Sequence, residues 1–401
     1  MFKRFMWIAI LVVLVIVPFS ASAQAVECVT EYDAAVNYFP DEVSVEYAQG
    51  FTVEYFNHYK VVTSTLPWPG ATAADAFQYV LVQCGTPVPE GFADAQIIEV
   101  PVQRVISMST TYLPAFTELD VLDRLIGLDG YSVLYTNTAE VQTLIEAGTL
   151  VDIGNAPAIN VEVALDAEPD LILAYGSGSP EFDAHPVLLE AGIPVALASD
   201  YVEESPLGRA EWMKFIALFF NEEAQAEALF SEKVTAYNDL VALTAALPLT
   251  EKPTVLWDSF SSYGSAWFVP GGRSFVGQLL RDAGAITILG DDPTVVDEVG
   301  SVPFDFETVY DAGVEADYWF ANAFLTNTLT DLMAQDERYT GFAAVEAGRV
   351  YNNDALVNAN GGNDYYESGA ANPQFVLADL VAILHPDLLP GHSLRYYRPL
   401  E

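Results

Sequence analysis

The chain has 401 residues, 52% of them apolar, with 56 acidic against 15 basic side chains and a net charge of −41. So large an acidic excess excludes nucleic acid and anionic membrane surfaces as partners, while the apolar share is that of a folded protein. The length exceeds one ordinary core and points to two lobes with a small extra module.

Residues 1–23, MFKRFMWIAILVVLVIVPFSASA, place Lys3 and Arg4 ahead of an apolar run and close on Ala21-Ser22-Ala23, the small-x-small pattern of a cleaved export signal. The mature chain is then expected to start near Gln24, in the periplasm, at the cell surface or in the extracellular space, with no membrane insertion after cleavage. A retained N-terminal anchor is the other reading of the same run. Val26 and Glu27 stand before Cys28 where a lipid-attachment site needs small residues. After export, Cys28 and Cys84 meet oxidising conditions and are expected to pair, a bridge worth roughly 4 kcal/mol by loop closure. Two separate buried thiols are the alternative.

Residues 24–100 read as a β-rich extension, because VSVEYAQGFTVEYFNHYKVVTSTL and AFQYVLVQC alternate in polarity as short antiparallel strands do, with turns at Gln49-Gly50 and Asn57-His58. From 101 to 222 the texture changes to strand then helix, in RVISMS, FTELDVLDRLIGL, PDLILAY and IPVALA, as in a parallel α/β lobe. Leu207 to Leu247 has almost no glycine or proline and reads as helix, unbroken or as a pair, with 223–250 linking the lobes. A second α/β series, opening at PTVLWDSF, fills 251–401. The fold class is α/β: two lobes of mainly parallel sheet flanked by helices, joined by a long linker helix and preceded by the β-rich extension.

The two series resemble each other. NVEVALDAEPDLILAY (160–175) runs cap, Val, Glu162, a helical turn, then Asp170 before an apolar strand; DFETVYDAGVEADYWFAN (305–322) runs cap, Phe, Glu307, a turn, then Asp317 before an apolar strand. Generic α/β punctuation is the bland explanation of the likeness.

Enzymatic and metal chemistry have no visible machinery. The histidines at 58, 185, 385 and 392 stand in unrelated contexts, with no HExxH, CxxC or EF-hand pattern. GSGSP at 176–180 lacks the spacing of a nucleophile elbow. WFVPGGRSFVGQLLRDAGA, at 267–285, looks like a phosphate cradle but fits neither GxGxxG nor GxxxxGK[ST]. No catalytic residue, metal site or intrinsic cofactor is expected. An exported hydrolase using cleft carboxylates, or a surface interaction protein, are the rival classes.

Open α/β sheets bind ligands at the carboxyl ends of their strands, and those ends carry rings and amides: Tyr112, Tyr175, Tyr263, Trp267, Asn322 and Phe324. Rings over an apolar pocket suit a bulky ligand; each ring could equally be core. The polar stretch 352–373 carries Asn363, Tyr365 and Tyr366 and reads as a cleft rim or as a loose loop.

In the order RVISMSTTYLPAFTELDVLDRLIGLDG, NVEVALDAEPDLILAY, PLGRAEWMKFIALFF and GGRSFVGQLLRDAGA with DFETVYDAGVEADYWF, the chain resembles the class III substrate-binding proteins of ABC importers, which capture iron–siderophore complexes, cobalamin and haem. The resemblance implies a monomer that holds a metal chelate between its lobes and delivers it to an ABC permease and, through that, its ATPase. It also places the glycine turn at the cleft, with Gly271 and Gly272 admitting the ligand to backbone and Arg273 offering a planar cation. A surface ion pair is the other use of Arg273. Glu162 and Glu307 match the glutamates that dock such proteins on the permease, and either would also stabilise a helix N-terminus. Residues 24–100 are not accounted for by the resemblance.

Overall fold

The computed structural model describes residues 28–261 and 264–401; the export signal and Tyr263 lie outside the described residues.

The N-terminal module is a four-stranded sheet of Phe51–Tyr55, Tyr59–Ser64, Phe77–Gln83 and Gln96–Val100, in that order. The first three strands are antiparallel and the last pair is parallel, where antiparallel strands throughout were expected. Cys28 and Cys84 are joined by a disulfide. The alternating stretch from Val43 to Gly50 is not a strand, because its amide groups are taken by carboxylates instead of a partner strand. Glu211 accepts from the amides of Glu46, Tyr47 (2.6 Å) and Ala48 (2.8 Å), and Glu203 from those of Gln49 and Gly50 (2.8 Å). Both glutamates are buried in lobe one, so the module is bound to that lobe by charge-assisted hydrogen bonds as well as by the packing of Phe51 on Trp212 and Phe215.

Lobe one holds a parallel sheet whose chain-order strands are Val105–Ser107, Leu125–Leu128, Val151–Asp152, Leu171–Ala174 and Val195–Leu197. Their spatial order is fifth, fourth, first, second, third, so the strand order reverses beside the first strand. Lobe two repeats the plan with Thr254–Trp257, Ile286–Thr287, Tyr318–Phe320 and Val350–Asn352 in parallel and Arg398–Pro399 antiparallel at the edge. Here the order is second, first, third, fourth, fifth. The internal likeness has a structural counterpart. Asp170 accepts from the amides of Gln103 and Arg104, immediately before lobe one's first strand, and Asp317 accepts from the amide and hydroxyl of Thr254, which starts lobe two's. Each aspartate pins the entry of its lobe's first strand, which lies beside its own.

Between the lobes the helical stretch is a pair, Pro206–Ala217 and Glu223–Ala245. The break falls at Asn221, whose φ is 59°. The fully buried ammonium of Lys60 binds the Leu218 carbonyl, the Asn221 side chain and Glu223 (2.6 Å), satisfying the end of one helix and the start of the next. The second helix, about 34 Å long at 1.5 Å per residue, starts in lobe one's core at Phe230 and reaches lobe two's core at Tyr237.

Candidate ligand-binding site

The carboxyl ends of the two sheets face each other, and loops from both lobes enclose a cavity of about 500 Å³. Lobe one contributes Thr111, the turn Asp200–Glu203 and Arg209; lobe two contributes Trp257, Asp258, Phe275, Asn322, Tyr365 and Tyr366. An adjoining recess of about 330 Å³ shares Thr111, Asp200 and Tyr201 and adds Ser109, Tyr112 and Tyr175. Both cavities sit where the strand order switches, the place at which open α/β sheets hold ligands.

Arg209 is one of the residues that sequence reasoning missed. It lies in the first turn of Pro206–Ala217. Its guanidinium donates to the Tyr201 carbonyl at 3.0 Å and the Glu203 carbonyl at 3.3 Å and lies 4.3 Å from the Phe275 ring centroid. That contact crosses from lobe one to lobe two. Burial lowers its pKa and the charge of Asp200 opposes the shift. Asp200 accepts from the Thr111 hydroxyl at 3.3 Å, and burial pushes its carboxyl up to about 6. Across the cavity Asp258, in the left-handed region with φ 69°, is raised to about 6 by the same cause. Rings, amides and hydroxyls at the strand ends do not single out either aspartate.

Asn322, Tyr365 and Tyr366 line the main cavity, and Tyr112 and Tyr175 the recess. The Tyr112 hydroxyl is spent on the carbonyls of Ala174 and Ala198, so its ring forms floor. Asn363 caps the turn Asp364–Tyr366 by accepting from the Tyr365 amide and aligns the two tyrosines from behind. Phe324 is 76% exposed at the end of a lobe-two strand, outside the cavity lining.

Trp267 does not line the cleft. It is fully buried, donates to the Trp257 carbonyl at 2.7 Å and packs among Trp319, Tyr339 and Phe342. The ring turns inward because Ala266–Pro270 is the middle strand of an antiparallel ribbon with Phe260–Ser261 and Ser301–Phe304. The glycine turn has a different purpose from the one expected. A Cβ on Gly272 would lie 2.3 Å from the Val296 carbonyl oxygen, and one on Gly271 2.3 Å from that of Glu298, so both glycines admit the chain at 295–300. Arg273 is 60% exposed at its side chain and pairs at 3.0 Å with Glu204 of lobe one. This is the surface ion pair, here spanning the lobes.

The polar stretch 352–373 closes the opposite edge. Buried Glu367 accepts from the hydroxyls of Thr136 and Thr138 and the amide of Asn137, all in lobe one. A Cβ on Gly362 would collide with the Tyr135 carbonyl, so the glycine permits this docking. The N-terminal module braces the cleft too, since Trp68 packs on the backbone of Gly176 and Gly178 beside Tyr175.

Glu162 and Glu307 occupy equivalent exposed positions, each in the first turn of a helix behind an Asn160 or Asp305 cap. Glu307 also pairs at 3.1 Å with Arg338, whose guanidinium covers the Phe306 ring at 3.5 Å.

A family model described as periplasmic binding protein matches residues 105–355. An uncharacterized lipoprotein of Methanocaldococcus jannaschii is 26% identical over 312 residues, 75% of this chain and 70% of that protein. A solved structure described as a possible iron-binding (periplasmic solute-binding) protein from Staphylococcus epidermidis has a TM-score of 0.54 at 17% identity, covering 71% of this chain and 99% of its own. A periplasmic heme-binding protein from Pseudomonas aeruginosa has a TM-score of 0.53 at 18% identity, covering 75% and 98%. At such identities the structural likeness is one of fold.

Proposed function

The chain belongs to the periplasmic binding protein family, and on that premise we propose that it is the extracytoplasmic receptor of an ABC importer for an iron–siderophore or a similar large metal chelate or cofactor. Members of the family bind small-molecule solutes without chemically altering them and work with an ABC permease. They act outside the cytoplasm, and among the described residues no helix is long and apolar enough to cross a membrane.

One observation carries the ligand reading: the cavity of about 500 Å³ takes its walls from both lobes at once, at the strand-order switch of each sheet. A volume of this size suits a ligand of drug-like or larger dimensions. The aromatic walls Trp257, Phe275 and Tyr366 supply apolar contact, and Arg209 fixes orientation. Because one helix of 23 residues passes between the lobes, closure is expected to be small and the cleft largely preformed. Glu162 and Glu307 are the docking points for the permease, Glu307 exchanging Arg338 for a partner cation.

Titration of intrinsic fluorescence tests the reading, with Trp257 as the reporting ring in the cavity. Saturable one-to-one quenching by a ferric siderophore, haem or cobalamin is expected, and its loss in Trp257→Phe assigns the signal. No response to any of the three classes contradicts the reading. Charge reversal at Glu162 or Glu307 should abolish uptake in cells bearing the permease while leaving binding intact.

A further inference from the structure

The cleft's charge balance says which chelates it can hold. Among the described residues lining the main cavity, Arg209 is the one cation, against Asp200, Glu203 and Asp258. The Glu203 carboxylate is already committed, accepting from the amides of Gln49 and Gly50 and from the Trp212 indole. Arg209 is partly committed as well, with two of its five N–H groups on carbonyls and its face on Phe275. What remains free is rich in acceptors. Asp200 receives one side-chain hydrogen bond, from Thr111. Asp258 receives the amide of Ser259 at 2.9 Å. The Asn322 side-chain oxygen is buried with no partner, a state that costs free energy until a donor arrives.

The second cation near the cleft changes nothing, since Arg273 lies outside the lining and is matched by Glu204. Beyond the cavity the whole chain carries −41, and a field of that sign repels an approaching polyanion. The exposed guanidinium that the glycine turn suggested for anionic groups is therefore absent from the site, and the groups facing the ligand call for the opposite chemistry.

We propose that the cleft selects neutral or positively charged chelates that present hydrogen-bond donors to Asp200, Asp258 and Asn322, and that it discriminates against polyanionic ones. The inference rests on the reading of this cavity as the ligand site. With three carboxylates against one guanidinium in the lining, each unit of ligand charge is expected to count for about tenfold in affinity.

Calorimetric titration of the full chain at low ionic strength tests it with probes graded in charge: cationic ferrioxamine B, neutral ferrichrome, neutral cyanocobalamin, dianionic haem and trianionic ferric enterobactin. Ferrioxamine B, ferrichrome or cyanocobalamin should bind at least tenfold more tightly than haem or ferric enterobactin. Tightest binding of ferric enterobactin or haem overturns the charge assignment and leaves the receptor reading standing. Failure of all five to bind removes both. Asp258→Asn keeps a side chain that tolerates the left-handed backbone and should narrow the cation-over-anion preference about tenfold. An unchanged preference in both Asp258→Asn and Asp200→Asn overturns the role given to the carboxylates.

Discussion

The guanidinium of Arg209 rests 4.3 Å from the centroid of the Phe275 ring, joining the first turn of a lobe-one helix to the first residue of the lobe-two helix Phe275–Asp282. The pair forms part of the cavity wall, so ligand contact and lobe contact share one side chain.

Replacing Arg209 by Met retains bulk over Phe275 and removes the charge. The cation–π contact is lost, and the Tyr201 and Glu203 carbonyls lose their donor. Destabilisation of about 1–3 kcal/mol is expected, measured by urea unfolding. Lys should fail to rescue it, because an ammonium cannot span both carbonyls while stacking on the ring.

Glu211 is buried and accepts from three consecutive backbone amides and from Lys214 at 3.1 Å. Glu211→Gln places amide hydrogens against amide hydrogens and leaves Lys214 with less compensation. A loss of about 3–5 kcal/mol is predicted, read from chemical denaturation. A loss below 1 kcal/mol would show that the segment 46–48 is held by other contacts.

Asp129 and Asp200 are both buried, and burial raises each carboxyl to about 6 against about 3.9 in an unfolded chain. The folded state thus binds these protons more tightly. Their contribution to stability is full below about pH 4 and disappears as pH rises through about 6, on the order of 2–3 kcal/mol for each. Asp129→Asn preserves the cap on the Ser132 amide and should flatten the fall in Tm between pH 4 and pH 7. A slope equal to that of the wild type would contradict the assignment.

Much of the fold was legible because its punctuation is local. The two α/β series, the helical bridge and the repeated aspartates all follow from periodicity and from turn residues that act on near neighbours. The stretch 43–50 was misread as a strand because its alternation is real, while the groups that claim its amides, Glu203 and Glu211, lie more than 150 positions away. The same limit applied to the site. Ring direction at Trp267 depends on a ribbon completed by Ser301–Phe304, and the glycines at 271 and 272 answer to the chain at 295–300. Arg209 offered no signal except its identity. A lone arginine among the few cations of a very acidic chain, close behind a strand end, is the cue that could have found it.

Hydrogen–deuterium exchange with and without a bound chelate tests the central claim most directly. Ligand held between the lobes should protect amides in two segments far apart in sequence, 199–209 in lobe one and 257–275 in lobe two, at the same ligand concentration. Protection confined to one lobe, or appearing only away from both segments, would contradict a receptor that grips its ligand across this cleft.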